Sequence, residues 1–414
     1  MNSLKKDIPL FLGLSHIGQV FSIGWSQKIG KCAVFDYNKN QKTKFKNLRV
    51  TNEEPELKNY LAKNIKKIYF CENEKEIKNF NIIFLTIDTP LSMAGAPDVK
   101  KIINILKKSY KNFKKNCTII ITSQVYCGFC EDLKKTIFKN RPDINLIYFA
   151  ETLVMGKALE RFINPERIIL GFDKKVKFLK EFEKFNCKIF QFSLREAEMI
   201  KMAINLFLFT SVNYANAMDY YCRQYGFKFS KINKALKSDK RIGKDSYISP
   251  SLGVSGGHLE RDVFTIIKTS KNQKLKNFFL KMKSLDNSRI SILINKYEKL
   301  KSKFKFKKII WIGPSYKSKS FSIVNSPFLK FKKYLKKKKK ILYSYDSFFD
   351  LKKQKIKNCI QELSNRDLKE ALLIYNYSKI KDKQKINKFL NSKFCKIISF
   401  NSTNFKNKNE YVIN

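Results

Sequence analysis

No uncharged apolar run in the 414-residue chain reaches the roughly 18 residues that a membrane-spanning helix needs, so no span is expected. No leader peptide is expected either, because the first apolar run, residues 8–14, is short and passes straight into a glycine turn. Cysteine is sparse. The nine cysteines are scattered and fall mostly in apolar strands. Buried free thiols in a reducing compartment, the cytoplasm, fit this better than a disulfide framework. Acidic residues are few, at 35 against 85 Lys and Arg, for a net charge of +50. A nucleic-acid partner is nevertheless not expected. Lysine outnumbers arginine by 75 to 10, and Asn, Ile and Phe are abundant as well. All four use A/T-rich codons, so base composition of the genome is the simpler cause.

Proline and glycine are also missing from one long stretch, residues 194–225. A single helix of about 32 residues and roughly 48 Å is expected there. Ser193 with Glu196 forms a capping box at its start, and Gly226 is a left-handed stop at its end. Such a helix serves as a spine between two α/β domains and as a dimerisation surface. Lys201 and Asn205 lie on it at i and i+4, on one face.

The chain opens with a strand (residues 8–13), the turn Gly13-Leu-Ser-His-Ile-Gly18, a helix, and a second strand ending in Asp36. This is a Rossmann-type opening. Gly13 allows the tight turn and Gly18 the close approach of helix to strand. Asp36 is placed to bind an adenosine ribose and to repel a 2′-phosphate, which selects NAD over NADP. Ser15 puts a side chain where backbone usually approaches the pyrophosphate. A βαβ unit that binds nothing is the alternative, and His16 reads as a solvent-facing turn residue. Further strands are expected at 68–71, 82–87, 118–122, 146–150, 168–172 and 188–192.

Beyond the spine, residues 247–262 form a loop in which Gly253, Gly256 and Gly257 let backbone pass close to a ligand. Arg241, His258, Arg261 and Asp262 cluster beside it. A mobile surface loop is the alternative. Cys127-Gly-Phe-Cys130 has no second pair or nearby histidine, so it gives little support to a zinc or redox role. A second α/β unit begins near residue 309, with strands at 309–313, 341–345, 371–377 and 395–400. The last dozen residues are expected to fray. The resulting architecture is α/β in three parts: an N-terminal Rossmann-type doubly wound sheet (1–192), a central long-helix dimerisation domain (193–300) and a second Rossmann-like domain (301–414).

Taken in order, Gly13–Gly18 with Asp36, Glu53-Glu-Pro-Glu-Leu57, Asp88-Thr-Pro-Leu91 with Pro97-Asp98, Glu151…Gly156, Asn164-Pro-Glu-Arg-Ile168, Lys201-Met-Ala-Ile-Asn205 and the 241–262 segment resemble the UDP-glucose/GDP-mannose dehydrogenase family over nearly the whole chain. The resemblance implies NAD as cofactor, held by Gly13, Ser15, Ile17, Gly18, Asp36, Thr89 and Gln124. It implies a nucleotide sugar, best a UDP-sugar, gripped by Arg241, Tyr247, Gly253, Gly256, Gly257 and Lys317. It also implies oxidation of the sugar C6 alcohol for surface polysaccharide synthesis, by a homodimer. Lys201 and Asn205 would stabilise the developing alkoxide, and Asp262 with Glu151 would position water.

The departures are specific. The family's nucleophilic cysteine falls on His258, or on Leu259 if the loop shifts by one. Its nicotinamide-side threonine falls on Gln124, and the proline before its glutamate on Ala150. An acidic pair and an arginine in the last domain have become Phe321, Ser322 and Val324. His258 could act as a base on an aldehyde hydrate or be a loop residue in a degenerate site, and Cys127 is a conceivable relocated nucleophile. An inactive member that binds NAD, a nucleotide sugar or a paralogue is the rival to an active dehydrogenase.

Overall fold

The computed structural model of the chain describes residues 8–51, 54, 56–89, 98–173, 179–315, 322–375, 383–390, 395–399 and 409–413. They form two compact units that divide between Asn205 and Leu206.

The first unit is built on strands β1 (Leu10–Leu12), β2 (Cys32–Phe35), β3 (Ile68–Phe70), β4 (Ile82–Leu85), β5 (Thr118–Ile121), β6 (Asn145–Phe149), β7 (Arg167–Phe172) and β8 (Lys188–Ser193). They lie in the order β3-β2-β1-β4-β5-β6-β7-β8. Every neighbouring pair is parallel except β6 with β7, where Tyr148 faces Gly171. The central strands are apolar throughout, as a parallel sheet covered on both faces requires. Alternate residues feed opposite cores. Leu10, Leu12, Ile83 and Leu85 pack on one side, and Phe11, Val34, Phe84 and Ile120 on the other. Phe11 stacks on Phe84 across the β1/β4 pair, ring centroids 4.8 Å apart.

The spine helix runs Leu194–Gln224. Its capping box closes as expected: Glu196 accepts from Ser193 N at 2.8 Å, and Ser193 Oγ accepts from Glu196 N at 3.3 Å. Gly226 lies just past its end with φ +77°. No described helix is long and apolar enough to cross a membrane.

The second unit carries a six-stranded sheet, β9 (Lys308–Ile312), β10 (Tyr343–Tyr345), β11 (Cys359–Ile360), β12 (Ala371–Tyr375), β13 (Lys396–Ser399) and β14 (Glu410–Val412). The order β11-β10-β9-β12-β13-β14 repeats the logic of the first sheet. Trp311, Phe328 and Phe331 anchor its core. The expectation that the last dozen residues fray is overturned for 409–413. β14 pairs in parallel with β13, Ile413 is 2 % exposed in the core, and Arg223 Nη2 donates to Ile413 O at 2.5 Å. Ladder bonds, one buried isoleucine and one guanidinium outweigh the polarity of the segment.

Candidate active site

The strand order reverses between β1 and β4, and ligands of such sheets bind where that crevice opens, at the carboxyl ends of the strands. Gly13 leaves β1 there with φ +106°. Its N–H donates to Phe35 O at 2.8 Å, and Thr86 Oγ1 donates to Gly13 O at 2.7 Å. A Cβ on Gly13 would stand 2.2 Å from Ile87 Cδ1, and one on Gly18 2.0 Å from Gly13 O. Neither position admits a side chain. The helix His16–Lys28 starts directly after Ser15, so its first amides are available to an anionic phosphate. Ser15 does not hang loose in the turn. Its hydroxyl donates to Thr86 O at 2.9 Å, which ties it to the end of β4. Ile17 packs on the adjoining core.

Asp36, half-buried at the end of β2, accepts from Leu14 N at 2.7 Å and from Asn38 N at 2.8 Å, one bond per oxygen. A carboxylate has about four acceptor positions, so capacity remains for ribose hydroxyls. Thr89 and Gln124, each 6 % exposed, follow β4 and β5 along the same sheet edge. Turn, helix start and acid together fit a dinucleotide. Glu53, Pro55, residues 90–97, Lys317 and Phe321 lie outside the described residues.

His16 departs from its expected solvent-facing role. Its Nε2 sits 3.1 Å from Glu54 Oε1. Glu54 is buried and also accepts from Gly156 N at 2.7 Å and Ala158 N at 2.9 Å. One carboxylate therefore joins the glycine turn to the segment that follows Glu151.

Glu151 in turn meets the spine helix. Its Oε2 lies 3.4 Å from Lys201 Nζ, with side-chain exposures of 11 % and 10 %, and its other oxygen accepts from Leu153 N. Asn205, one turn further along the helix, is 6 % exposed. Asn205 follows Lys201 by four residues, on the same face of the helix. A lysine so placed can stabilise an oxyanion.

The CxxC segment is held by the same helix. Buried Glu198 accepts from Gly128 N at 2.5 Å and Cys130 N at 2.8 Å, and burial pushes its carboxyl above the ordinary range. Burial, with Glu198 alongside, also raises both thiols. A raised thiol is a poor nucleophile, and for Cys127 burial outweighs the opposing charge of Arg195.

In the second unit the glycine loop is fastened rather than mobile. Asn216, on the spine helix, accepts from Ser251 N at 2.7 Å. Asp286 accepts from Val254 N at 2.7 Å, and burial raises its carboxyl. Fully buried Arg289 donates to Ser251 O at 2.8 Å and Asp219 Oδ2 at 2.9 Å. Gly253 and Gly256 have φ +102° and +85°. A Cβ on Gly253 would stand 2.8 Å from Lys330 Nζ and 3.0 Å from Asp286 O. Gly257 precedes the helix His258–Thr269. Asp262 is 1 % exposed and Arg261 5 %, whereas His258 is exposed with Nδ1 2.9 Å from Arg261 Nη2. Tyr247 is 56 % exposed. Arg241 stands in solvent, its guanidinium paired with Asp239 at 2.7 Å.

Glu54, Glu198, Asp286 and Arg289 went unassigned in the sequence reading. No local signal singles them out: the positions three and four residues from Glu198 on its helix face are Leu194, Arg195, Lys201 and Met202, a mixed set.

Two family models match the chain. The UDP-glucose/GDP-mannose dehydrogenase family NAD binding domain covers residues 9–186, and the family's central domain covers residues 195–288. A UDP-glucose 6-dehydrogenase of Campylobacter jejuni subsp. jejuni serotype O:2 is 29 % identical over 306 residues, 71 % of this chain and 72 % of the relative. One from Rickettsia bellii is 24 % identical over 348 residues, 81 % and 80 % of the two chains. Among solved structures, a UDP-glucose dehydrogenase from Pyrobaculum islandicum superposes with TM-score 0.85 at 18 % identity, covering 98 % of this chain and 97 % of that one. A UDP-D-ManNAc dehydrogenase from Pyrococcus horikoshii gives 0.82 at 19 % identity, with 98 % and 99 % covered. NAD is thus the cofactor, and the chain belongs to the UDP-glucose/GDP-mannose dehydrogenase family of NAD-dependent oxidoreductases.

Proposed function

We propose that the chain oxidises the C6 alcohol of a UDP-sugar with NAD, supplying a precursor for surface polysaccharide in the cytoplasm. The single observation that carries this reading is the buried Lys201–Glu151 contact at 3.4 Å, with Asn205 one helical turn away. A bare lysine is costly to bury, and retaining it beside a carboxylate and an amide suits a site where negative charge develops on oxygen. NAD, when bound, supplies the hydride acceptor. Lys201 and Asn205 stabilise the alkoxide. Glu151 orients the Lys201 ammonium. Asp262 positions water. Thr89 and Gln124 hold the nicotinamide end, and Gly253, Gly256, Gly257, Arg241, Tyr247 and Lys317 receive the nucleotide sugar. The relatives named UDP-glucose 6-dehydrogenase support UDP-glucose as the first sugar to try.

The reading divides the chain into a cofactor part (1–192), a central part (193–300) and a nucleotide-sugar part (301–414). It makes the active form a homodimer. Phe207, Tyr214 and Tyr221 recur every seven residues on the spine helix and are 69 %, 46 % and 55 % exposed. That apolar stripe suits a second copy of the same helix.

One observation favours a second reading, an inactive member that binds NAD or a nucleotide sugar or pairs with an active paralogue. No cysteine occurs between Cys222 and Cys359, so the glycine loop has no thiol for covalent catalysis. The test is NADH formation at 340 nm from NAD with UDP-glucose and other UDP-sugars. Turnover that falls at least a hundredfold in Lys201→Ala supports the dehydrogenase. NAD binding without turnover on any sugar supports the inactive member.

A further inference from the structure

Asn325 stands directly before Ser326, the residue that caps the helix Pro327–Lys337. Phe328 and Phe331 of that helix share a buried core with Leu252 of the glycine loop. The Asn325 backbone is left-handed, φ +52°, a conformation that asparagine adopts more readily than most side chains. Two successive residues here meet Gly256. Gly256 N donates to Val324 O at 2.8 Å, and Asn325 Nδ2 donates to Gly256 O at 3.2 Å. The same amide nitrogen donates to Glu260 Oε2, and Lys283 Nζ lies 2.6 Å from the other Glu260 oxygen. A backbone carbonyl and an ion-paired carboxylate only accept hydrogen bonds. The orientation of the Asn325 amide is therefore fixed: its nitrogen, not its oxygen, faces the loop. Its two hydrogens serve one acceptor on each side of Gly257, His258 and Leu259.

We propose that Asn325 is a positioning residue for the nucleotide-sugar loop: by clamping residues 256 and 260 it fixes the backbone of 257–259. The proposal rests on the reading above in which Gly253, Gly256 and Gly257 receive a UDP-sugar. All of these groups lie in the second unit. Gly256 is buried, with φ +85°, and its N–H and C=O are bonded to consecutive residues of one rigid element. Without the Asn325 amide the bond to Val324 O remains, but Gly256 O and Glu260 Oε2 lose this donor. The stretch between them, which begins with a second glycine, then regains conformational freedom. Ordering it again becomes a cost of binding the sugar. The loss therefore falls on sugar affinity and leaves cofactor affinity alone, because the cofactor turn belongs to the first unit.

Two measurements on the full chain test this. Asn325→Gly removes the amide yet keeps a left-handed backbone without strain, so the bond to Val324 O is retained. Hydrogen–deuterium exchange read by mass spectrometry should be about fivefold faster in the peptide that spans residues 257–260 and unchanged in peptides from the two sheets. By calorimetry, UDP-glucose should bind about fivefold more weakly to this variant, with NAD affinity within about 1.5-fold of wild type. Asn325→Asp, which sets a second carboxylate against Glu260, should weaken sugar binding further. Adding Glu260→Gln, whose amide supplies the missing donor from the opposite side, should recover most of that further loss. Unchanged exchange at 257–260 in Asn325→Gly, equal losses of UDP-glucose and NAD affinity, or no recovery in the double variant overturns the proposal. A wild-type chain that binds no UDP-glucose overturns the sugar assignment of the loop and the proposal with it, while exchange separately decides whether Asn325 holds the loop.

Discussion

His16 Nε2 and Glu54 Oε1 stand 3.1 Å apart, and through that contact the cofactor turn is tied to residues 156–158. Glu54→Gln turns an oxygen that accepts backbone amides into an amide group that cannot. Leaving a buried donor unsatisfied costs about 1–3 kcal/mol. The variant is expected to lose that much in urea unfolding and to bind NAD several-fold more weakly by calorimetry. His16→Ala should lose less stability, because the Gly156 and Ala158 amides keep their acceptor. Unchanged NAD affinity in Glu54→Gln would falsify the coupling.

Glu56 has φ +62° at the start of the helix Leu57–Asn64, a left-handed conformation that side chains other than glycine adopt at a cost of about 1–2 kcal/mol. Its side chain is exposed and accepts a local hydrogen bond from Asn59 Nδ2 at 2.7 Å. Glu56→Gly should stabilise the protein by about 0.5–1 kcal/mol, read as a higher urea midpoint. A lower midpoint would mean the Asn59 bond outweighs the backbone strain.

The aromatic stripe of the spine helix predicts the oligomeric state. Replacing Phe207, Tyr214 and Tyr221 together by Ser should convert a dimer to a monomer in light scattering, with the far-ultraviolet circular dichroism retained. A wild type that is monomeric at micromolar concentration would remove the dimer from the proposed function.

Acid should weaken one fork in particular. The Arg141 guanidinium donates to both oxygens of Asp143 at 2.8 and 2.9 Å, and these bonds hold the Asp143 carboxyl well below the usual carboxylate range. A depressed pKa means the folded state binds the proton less readily than the unfolded one. The contribution is therefore complete above the unfolded value near 3.9 and is lost as pH falls below it. Asp143→Asn should cost about 1 kcal/mol at pH 7. The gap between variant and wild type should be unchanged at pH 5 and narrower at pH 3.5. A gap that widens on acidification would contradict the assignment.

The elements were legible where periodicity and capping agree. Ser193, Glu196 and Gly226 bound the spine helix to within two residues. The apolar runs of β1, β4 and β5 leave no alternative to a buried parallel sheet. Glycine was legible as geometry at Gly13 and Gly18, because both positions exclude a Cβ. The rest depended on tertiary partners. Ser15 looked like an obstruction until its hydroxyl had Thr86 O to bond. Glu198 and Glu54 are ordinary acids in the sequence, and only the fold brings paired amides to them. Glu410–Val412 reads as part of a polar tail because its three residues are too short a run to signal a strand without β13 to pair with.

β14 has a further consequence. Lys396–Ser399 is a short, wholly buried strand flanked on one side by β12 and on the other by β14 alone. If proteolysis removed residues 409–413, a row of unpaired amides and carbonyls over Ile397 and Ile398 would become an open sheet edge. Such edges add strands from other molecules. The described edge of this sheet would then move from β14 to β13, so three residues held in place by Ile413 and Arg223 decide which strand is the edge.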